Sequence, residues 1–202
     1  MFLKSPPPLI LASTSRYRRA LLERLGVPFS CVVPGVDEAS LPGETGAALV
    51  ARLARAKAAA VASQQPQAWV IGSDQVAVLA RPGGKEMILG KPGTAQRCIQ
   101  QLQECSGQTL SFITGVAVLQ QESGQCREFI DTTRVRYRTL DSSTIERYVE
   151  REQPLDCAGG FKSEALGITL CESIDSVDPT GLIGLPLIRV AAVLREAGYE
   201  LP

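Results

Sequence analysis

Short apolar runs alternate with helix-spaced apolar stripes along this chain, and the alternation predicts the order of its secondary structure. In the first half, the runs LIL at 9–11, FSCVV at 29–33 and AWVIGSD at 68–74 predict strands. The segments from about 16 to 25 and from about 47 to 63 carry apolar residues at helical spacing. Strands that alternate with helices in this way are typical of an α/β fold.

The second half predicts a hairpin and further helices. Two extended segments, around 108–119 and 126–138, are separated by the turn-like sequence ESGQ. The other predicted elements are a helix capped by Thr94, a helix with a capping box at Ser143 and Glu146, a strand in ITLCESI and a last helix ending near Gly198. We therefore expect one α/β domain over residues 1–202, with a mixed sheet and flanking helices and no linker or repeat.

Charge and composition narrow the function classes. The chain has 21 basic and 21 acidic residues, so nothing favours broad attraction to nucleic acid or to a membrane surface. No uncharged apolar run approaches the ~18–20 residues that span a bilayer. The N-terminal MFLKSPPPLI is too short in apolar residues for a signal peptide. The six cysteines lack zinc-type spacing, so we expect buried, reduced thiols in a cytoplasmic protein.

The absence of histidine changes the picture most. It excludes Ser-His-Asp and Cys-His catalysis and every imidazole metal site. Acid–base chemistry then falls to carboxylates, lysine or a metal-bound water. A bound metal would be a divalent cation held by oxygen atoms, such as magnesium or manganese.

The first predicted helix begins with an unusual excess of positive charge. Its first turn carries Arg16, Arg18 and Arg19, although a helix N-terminus favours acidic residues. The preceding turn is the hydroxyl-rich segment Ser13–Ser15, and together these features predict a phosphate cradle. The alternative is that the arginines are solvated surface charges. The glycines of a Walker loop are missing, which excludes that motif.

Two charged residues interrupt apolar patterns. Lys57 falls on the same helical stripe as Leu53 and Val61, so it either snorkels to the edge or meets an anion. Asp74 follows the apolar run WVIGS, where the strand ends of α/β sheets place ligands. An aspartate that caps a turn or a helix is the alternative interpretation.

Further charges in loops complete the candidate site. Asp37 and Glu38 are adjacent, so we expect only one of them to point inward as a second oxygen ligand. Lys91 precedes a proline and is biased to an extended backbone. Lys162 and Glu164 would share one face if their segment is extended, and either lysine is otherwise solvent-facing.

Several motifs together resemble a known family. LILASTSRYRRALLERLG, VDE, RLARAKA, GSDQ, GKP, CAGGFKSE and GLIGLPL are similar, in this order, to motifs of the Maf family of nucleotide pyrophosphatases. The closest resemblance is to the YceF-type branch, described as 7-methyl-GTP pyrophosphatases; the other main branch hydrolyses dTTP and UTP. The resemblance implies a mixed α/β fold with a cleft between two lobes, related to the inosine triphosphate pyrophosphatases.

The resemblance also implies roles for individual residues. Asp74 is implied as the catalytic residue that accepts a proton from water, and Glu38 joins it at the divalent metal. The resemblance implies Arg18, Lys57 and Lys91 as substrate-binding residues. The reading of the cradle and the loops adds Ser13, Arg19 and Lys162.

Nucleotide specificity in this family is associated with positions held here by Tyr17, Gln75 and Glu164. The dTTP/UTP branch has Arg, Thr and Gln at these three positions, which this chain does not share. An aromatic face at Tyr17 suits stacking on a cationic 7-methylguanine ring. A carboxylate at Glu164 suits the N–H groups of a guanine edge.

The chain departs from the family pattern at three places. Arg16 stands where the family usually has proline, and the loop reads CAGGFKSEA instead of CAGSFKSEG. Extra residues around RPGGKEM are expected to lengthen a hairpin before GKP. None of these changes removes a proposed catalytic group.

The expected activity is hydrolysis of the α–β phosphate bond of a nucleoside triphosphate, with 7-methyl-GTP giving 7-methyl-GMP and diphosphate. Two alternatives stay open from the sequence: the same chemistry on dTTP or UTP, and a non-catalytic regulator of septum formation. The oligomeric state is also open, with a homodimer among the options.

Overall fold

A mixed sheet of seven strands organises the protein, which is described here over residues 6–202 of a computed structural model. Residues 1–5, within the segment that argues against a signal peptide, lie outside the described residues. The strands are β1 Leu9–Leu11, β2 Ser30–Cys31, β3 Trp69–Arg81, β4 Lys85–Leu89, β5 Thr109–Gln120, β6 Gln125–Tyr137 and β7 Cys171–Asp175. The helices are α1 Arg16–Glu23, α2 Gly46–Ala62, α3 Ala95–Cys105, α4 Ser142–Glu152 and α5 Leu187–Glu196.

The strand order is β2-β1-β3-β5-β6-β7, and β4 pairs with β3 beside this row. β1 runs parallel to β2 and β3, whereas the other pairs are antiparallel. The predicted mixed α/β fold with flanking helices is confirmed. A division into two lobes stays a prediction. Within residues 6–202, no helix combines the length and the apolar character needed to cross a membrane.

β3 is the central strand, and its free edge determines where a cavity forms. Its residues 69–71 pair with β1, and its residues 77–81 pair with β4. Residues 72–76 lie between these two partners, so the sheet has a gap along this edge. The turn Pro82–Gly84 joins β3 to β4, which confirms that the extra residues around RPGGKEM lengthen a hairpin.

Helix α2 lies unusually close to the sheet. A Cβ atom added to Gly72 of β3 would come within 2.2 Å of the Ala54 carbonyl oxygen. A Cβ atom added to Gly115 of β5 would come within 2.5 Å of the Val50 carbonyl oxygen. Only glycine permits such an approach of helix backbone to strand. The two glycines therefore set the position of α2, and of the side chains it carries, relative to β3.

Apolar side chains fill the space between the helices and the sheet. The cluster against α3 and α4 includes Phe112, Tyr137 and Phe161; the Phe161 ring is tilted against that of Phe112 and T-shaped to that of Tyr137. The cluster against α1 and α5 includes Trp69 and Leu194. Helices α1, α3, α4 and α5 bury their apolar stripes in these two clusters, as the periodicity predicts. These two clusters fix the helices against the sheet, and with them the segments that carry the site.

Some predicted boundaries are wrong. The strand predicted at 29–33 is reduced to Ser30–Cys31, because its partner β1 is only three residues long. In ITLCESI the strand begins at Cys171, since residues 166–170 form a 3₁₀ turn tied to α4 by the Leu166 N–H, which donates to Glu152.

Helix capping and cysteine burial also bring one correction each. Thr94 caps α3 as predicted. The cap of α4 is Asp141 instead of Ser143, because the Asp141 carboxylate accepts from the Thr144 N–H at 2.7 Å and a charged acceptor binds more strongly than a hydroxyl. All six cysteines are free thiols, but only Cys98 and Cys105 are buried.

Candidate active site

A cavity of about 1120 Å³ opens at the gap in the β3 edge. Alternate residues of β3 face opposite sides of the sheet, so Asp74 faces α2 while Gln75 faces the loop 181–184. Both nevertheless line the cavity, because the gap lets it reach each face. Other site residues that line it are Ser13, Tyr17, Arg18, Glu38, Lys57, Lys91 and Glu164.

The turn between β1 and α1 forms one wall. Ser15 caps α1 by accepting from the Arg18 backbone N–H at 3.4 Å, and Ser13 accepts from the Ser15 N–H at 3.1 Å. No acidic residue lies in the first turn of α1. The helix N-terminus and Arg18 therefore present positive charge to the cavity, in line with the cradle hypothesis.

Arg18 is half-buried and is oriented by a residue far along the chain. Its Nε donates to the Gly184 carbonyl oxygen at 3.0 Å, which is the one hydrogen bond of this guanidinium among the described residues. The four other N–H donors of the group are thus left for a ligand. Burial lowers the pKa of Arg18, and the nearby carboxylates of Asp74 and Glu38 oppose that shift. The guanidinium stays charged near neutral pH.

Lys57 lies at the centre of the site and is only 4 % exposed. Its Nζ donates to Asp74 Oδ1 at 2.7 Å and lies 2.5 Å from Glu38 Oε1. The inward orientation read from the helical stripe is confirmed, and of the two alternatives the structure has the one in which the lysine meets an anion. A buried ammonium requires such partners because an unpaired buried charge is very costly.

Asp74 is buried, and its position differs from the prediction. The sequence placed it at the end of the apolar strand 68–74, with residues 76–80 extended beyond it. In the structure both segments form one strand, β3, which continues through Arg81 because its second half pairs with β4. Asp74 instead lies beyond the end of β1, whose pairing stops at Ile71. It still reaches the mouth of a strand, and that strand is β1.

Of the two adjacent acids, one points inward, as expected. Asp37 Oδ1 accepts from the Ala39 N–H at 3.0 Å within its own loop. Glu38 reaches Lys57 instead. Partial burial alone would raise the pKa of Glu38, but the hydrogen bond from Lys57 and the charges of Lys57, Lys91 and Arg18 outweigh it and lower the pKa. Glu38 is therefore a carboxylate at neutral pH.

Three predicted lysine and arginine positions behave differently from one another. Lys91 is exposed and lines the cavity. Arg19 is turned away and pairs with Glu23 at 3.0 Å. Lys162 Nζ lies 2.5 Å from Glu152 Oε1, and Lys162 is absent from the cavity wall. The expected shared face of Lys162 and Glu164 is wrong, because residues 163–165 form a turn that separates the two side chains.

The mouth of the cavity holds a group that sequence reasoning missed. Arg16 donates to the Tyr17 hydroxyl at 2.8 Å, and its guanidinium carbon lies 4.8 Å from the Tyr17 ring centroid. Asp156 lies 3.4 Å from Arg16 across the mouth. Burial, opposed by the Arg16 hydrogen bond, raises the pKa of Tyr17 to about 12, so the phenol is protonated at neutral pH.

The carboxylates suit a divalent cation only in combination with a ligand. Within residues 6–202, no group of three or more His, Cys, Asp or Glu side chains forms a ready-made metal site. Glu38 and Asp74 nevertheless converge on one atom, Lys57 Nζ, which brings their oxygens close together. Mg²⁺ is commonly bound by one or two carboxylates plus substrate phosphates and water. The donor set fits that mode of binding.

The fold and the site define a mixed α/β protein with a cationic cavity that also holds two carboxylates. The chain matches the family described as Maf-like protein over residues 8–197, and it belongs to that family. The resemblance identified in the sequence is thereby confirmed.

Close relatives have a common name. The chain is similar to the 7-methyl-GTP pyrophosphatase of Pseudomonas fluorescens, with 51% identity over 195 residues that cover 96% of this chain and 99% of that protein. The protein of that name from Pseudomonas aeruginosa is 50% identical over 97% of this chain and 100% of its own length. That of Nitrosococcus oceani is 48% identical over 98% and 96%.

Proposed function

We propose that this protein hydrolyses the α–β phosphate bond of a nucleoside triphosphate, with 7-methyl-GTP as substrate and 7-methyl-GMP and diphosphate as products. The observation that carries the proposal is the buried Lys57 between Asp74 and Glu38, beside the cationic start of α1. The name shared by relatives about 50% identical supports the choice of nucleotide.

The polyphosphate tail would lie along the cationic wall. The N–H groups at the start of α1 and the free donors of Arg18 bind phosphate oxygens, and Lys91 adds a further charge. These groups stabilise the charge that develops on the transferring and leaving oxygens. Diphosphate is the leaving group, so its binding to these cationic groups assists cleavage of the bond.

Asp74 is proposed as the group that accepts the proton of the attacking water. One carboxylate oxygen is held by Lys57 at 2.7 Å, which leaves the other to face the water. Glu38 and Asp74, together with phosphate oxygens, would hold a divalent cation such as Mg²⁺ or Mn²⁺, which would neutralise charge and lower the pKa of a bound water. Water attacks the α-phosphorus, and the bond to the β-phosphate oxygen breaks.

The nucleobase would meet Tyr17 and Glu164, which both line the cavity. Tyr17 offers an aromatic face to the cationic ring, and Glu164 accepts from the guanine edge. Neither interaction suits a pyrimidine, which argues against dTTP and UTP. The free state of all six cysteines agrees with action in the reducing cytoplasm.

A diphosphate-release assay with Mg²⁺ or Mn²⁺ over 7-methyl-GTP, GTP, UTP and dTTP tests the proposal. We expect diphosphate, without orthophosphate, and the highest kcat/KM with 7-methyl-GTP. The double variant Tyr17→Arg, Glu164→Gln should shift the preference towards UTP. Nucleotide binding without release of diphosphate from any triphosphate would overturn the proposed activity.

A further inference from the structure

The loop 181–184 is fastened to the sheet by its own carbonyl groups. Gln75 Nε2 donates to the carbonyl oxygens of Gly181 at 2.9 Å and Leu182 at 3.1 Å. Thr114 Oγ1 donates to the Gly181 carbonyl oxygen at 2.9 Å. Ser73 Oγ donates to the Gly184 carbonyl oxygen at 3.0 Å. Three side chains from two strands thus hold one short loop.

The side chains that hold this loop are largely buried, and there is little free space around Gly181. Ser73 and Thr114 are both 0 % exposed. Thr114 lies opposite Gln75 on one side and Asp131 on the other in the strand register. A Cβ atom at position 181 would come within 2.2 Å of Asp131 Oδ2, so only glycine fits there. Loss of one of these hydrogen bonds would leave a buried donor or acceptor without its partner.

The loop in turn orients Arg18. The Gly184 carbonyl oxygen accepts from both Ser73 Oγ and Arg18 Nε, each at 3.0 Å. Gly184 has φ +118°, and a Cβ atom there would lie 3.4 Å from Arg18 Nε. A continuous set of hydrogen bonds therefore runs from the strands, through the loop backbone, to the guanidinium at the cavity wall.

The amide nitrogen of Gln75 has no donor left for a nucleobase. Its two N–H donors serve Thr114 Oγ1 at 2.8 Å and the two loop carbonyls. We propose that Gln75 and Thr114 are positioning residues: they hold the loop 181–184, and through the Gly184 carbonyl they set Arg18 for the polyphosphate. A change at position 75 would then alter binding of the phosphates and not recognition of the base. This inference rests on the proposed function.

The experiment compares Gln75→Met, Thr114→Val and the double variant. Thr114 does not line the cavity, so its substitution tests the loop without touching a ligand. Two readouts are measured: the Kd of inorganic diphosphate by calorimetry, and kcat and KM for 7-methyl-GTP and UTP. Tyr137→Phe is the matched control, because it removes a buried hydroxyl without a hydrogen-bond partner from the core against α3 and α4.

We expect each single variant to weaken diphosphate binding and to lower kcat/KM about tenfold or more, because each removes at least one buried hydrogen bond of the loop. The ratio of kcat/KM between the two nucleotides should stay within twofold. The double variant should bind diphosphate no more weakly than the more affected single variant. Thr114→Ser, which keeps the hydroxyl, should restore the native values. Melting curves ensure that all variants are compared in the folded state.

Two results would overturn the inference. A change of more than tenfold in nucleotide preference for Gln75→Met, with diphosphate affinity intact, would make Gln75 a base-reading residue. Native diphosphate affinity in Thr114→Val would disconnect the loop from Arg18. Because diphosphate binding needs no turnover, this second result is readable even if no triphosphate is hydrolysed.

Discussion

Two cation–carboxylate groups border the same cavity, and their settings differ greatly. The Lys57 side chain is 5% exposed and touches the buried Asp74 and the more exposed Glu38. The Arg16 side chain is 72% exposed and pairs with Asp156, itself 53% exposed, at the mouth. Water and salt screen the outer pair, so it contributes little to stability. Removal of one partner from the inner group strands a buried charge, which costs far more.

The comparison distinguishes the inner Lys57 group, on which the site depends, from the Arg16–Asp156 pair at its surface. The inner group is held by a helix pressed onto the sheet, while the outer pair joins the start of α1 to a surface turn. Charge alone therefore says little about importance. Burial and the rigidity of the supporting backbone decide which pair governs stability and chemistry.

Asp74→Asn should give the largest effect on activity. The amide keeps the shape but accepts no proton, so we expect turnover to fall ~10³-fold or more, while the fold persists. Diphosphate release from 7-methyl-GTP measures the loss, and circular dichroism checks the fold. Asp37→Asn, in the loop and turned away from Lys57, is the matched control and should stay near native activity. Substantial activity in Asp74→Asn would reject its assignment.

Lys57→Met should give the largest loss of stability. Asp74 would be left buried without its cation, at a cost of about 3–5 kcal/mol in the free energy of unfolding. Urea denaturation measures this value. Arg55→Met changes an exposed residue on the same helix, paired with Glu128 at 3.3 Å, and should cost less than ~1 kcal/mol. Equal costs for the two variants would contradict the contrast between inner and outer pairs.

Glu38→Gln should have an intermediate effect. The amide keeps a hydrogen bond acceptor for Lys57 but loses a charged oxygen for the cation. We expect kcat/KM to fall on the order of 10²-fold and the Mg²⁺ concentration for half-maximal rate to rise. A Mg²⁺ titration of the rate measures both. An unchanged metal dependence would remove Glu38 from the metal site.

Asp131 sharpens the comparison, because its Oδ2 is buried without a hydrogen-bond partner among the described residues. Burial and the nearby Asp178 raise its pKa, against a smaller opposite effect of Arg189. The folded state thus holds the proton more tightly, so this group makes folding less favourable as the pH rises above the ordinary value of 3.8. Asp131→Asn should raise the Tm at pH 7, and the gain should vanish near pH 3.

That sign has a simple check. Tm is measured from pH 3 to pH 8 for the native chain and for Asp131→Asn. Glu122→Gln, an exposed acid in the β5–β6 turn, is the control and should show no gain at neutral pH. A gain that grows on acidification would contradict the raised pKa.

Arg16→Ala should give the smallest effect. Loss of the exposed pair with Asp156 is expected to leave the midpoint of chemical denaturation nearly unchanged and to change kcat/KM by less than about threefold. Chemical denaturation and the diphosphate assay measure the two quantities. A tenfold change in kcat/KM would show that the outer pair shapes the site despite its exposure.

Local patterns predict the inner group well. Lys57 was recognisable because a charged residue occupied an apolar stripe of one helix. The adjacency of Asp37 and Glu38 predicted that only one of them faces inward, and the family resemblance selected Glu38. Asp74 was recognised by its apolar run, although its true place is in the middle of a strand. Each of these depends on residues within a few positions of one another.

Long-range contacts were out of reach. Arg18 is oriented by Gly184, which is 166 positions away, and Arg16 meets Asp156 at a separation of 140 positions. No periodicity connects such residues, because the contact depends on how the sheet orders its strands. Lys162 was misjudged for the same reason: its partner Glu152 belongs to the preceding helix, and the turn at 163–165 redirects the segment.

Gly72 and Gly115 give the inner group an unexpected vulnerability. A single methyl group at either position would act as a wedge and raise α2 from the strands. The Lys57 to Asp74 contact of 2.7 Å would then open past the ~3.5 Å at which a hydrogen bond ceases. Such a mutation would change neither Lys57 nor Asp74, yet it would separate the two by displacing α2 from the sheet.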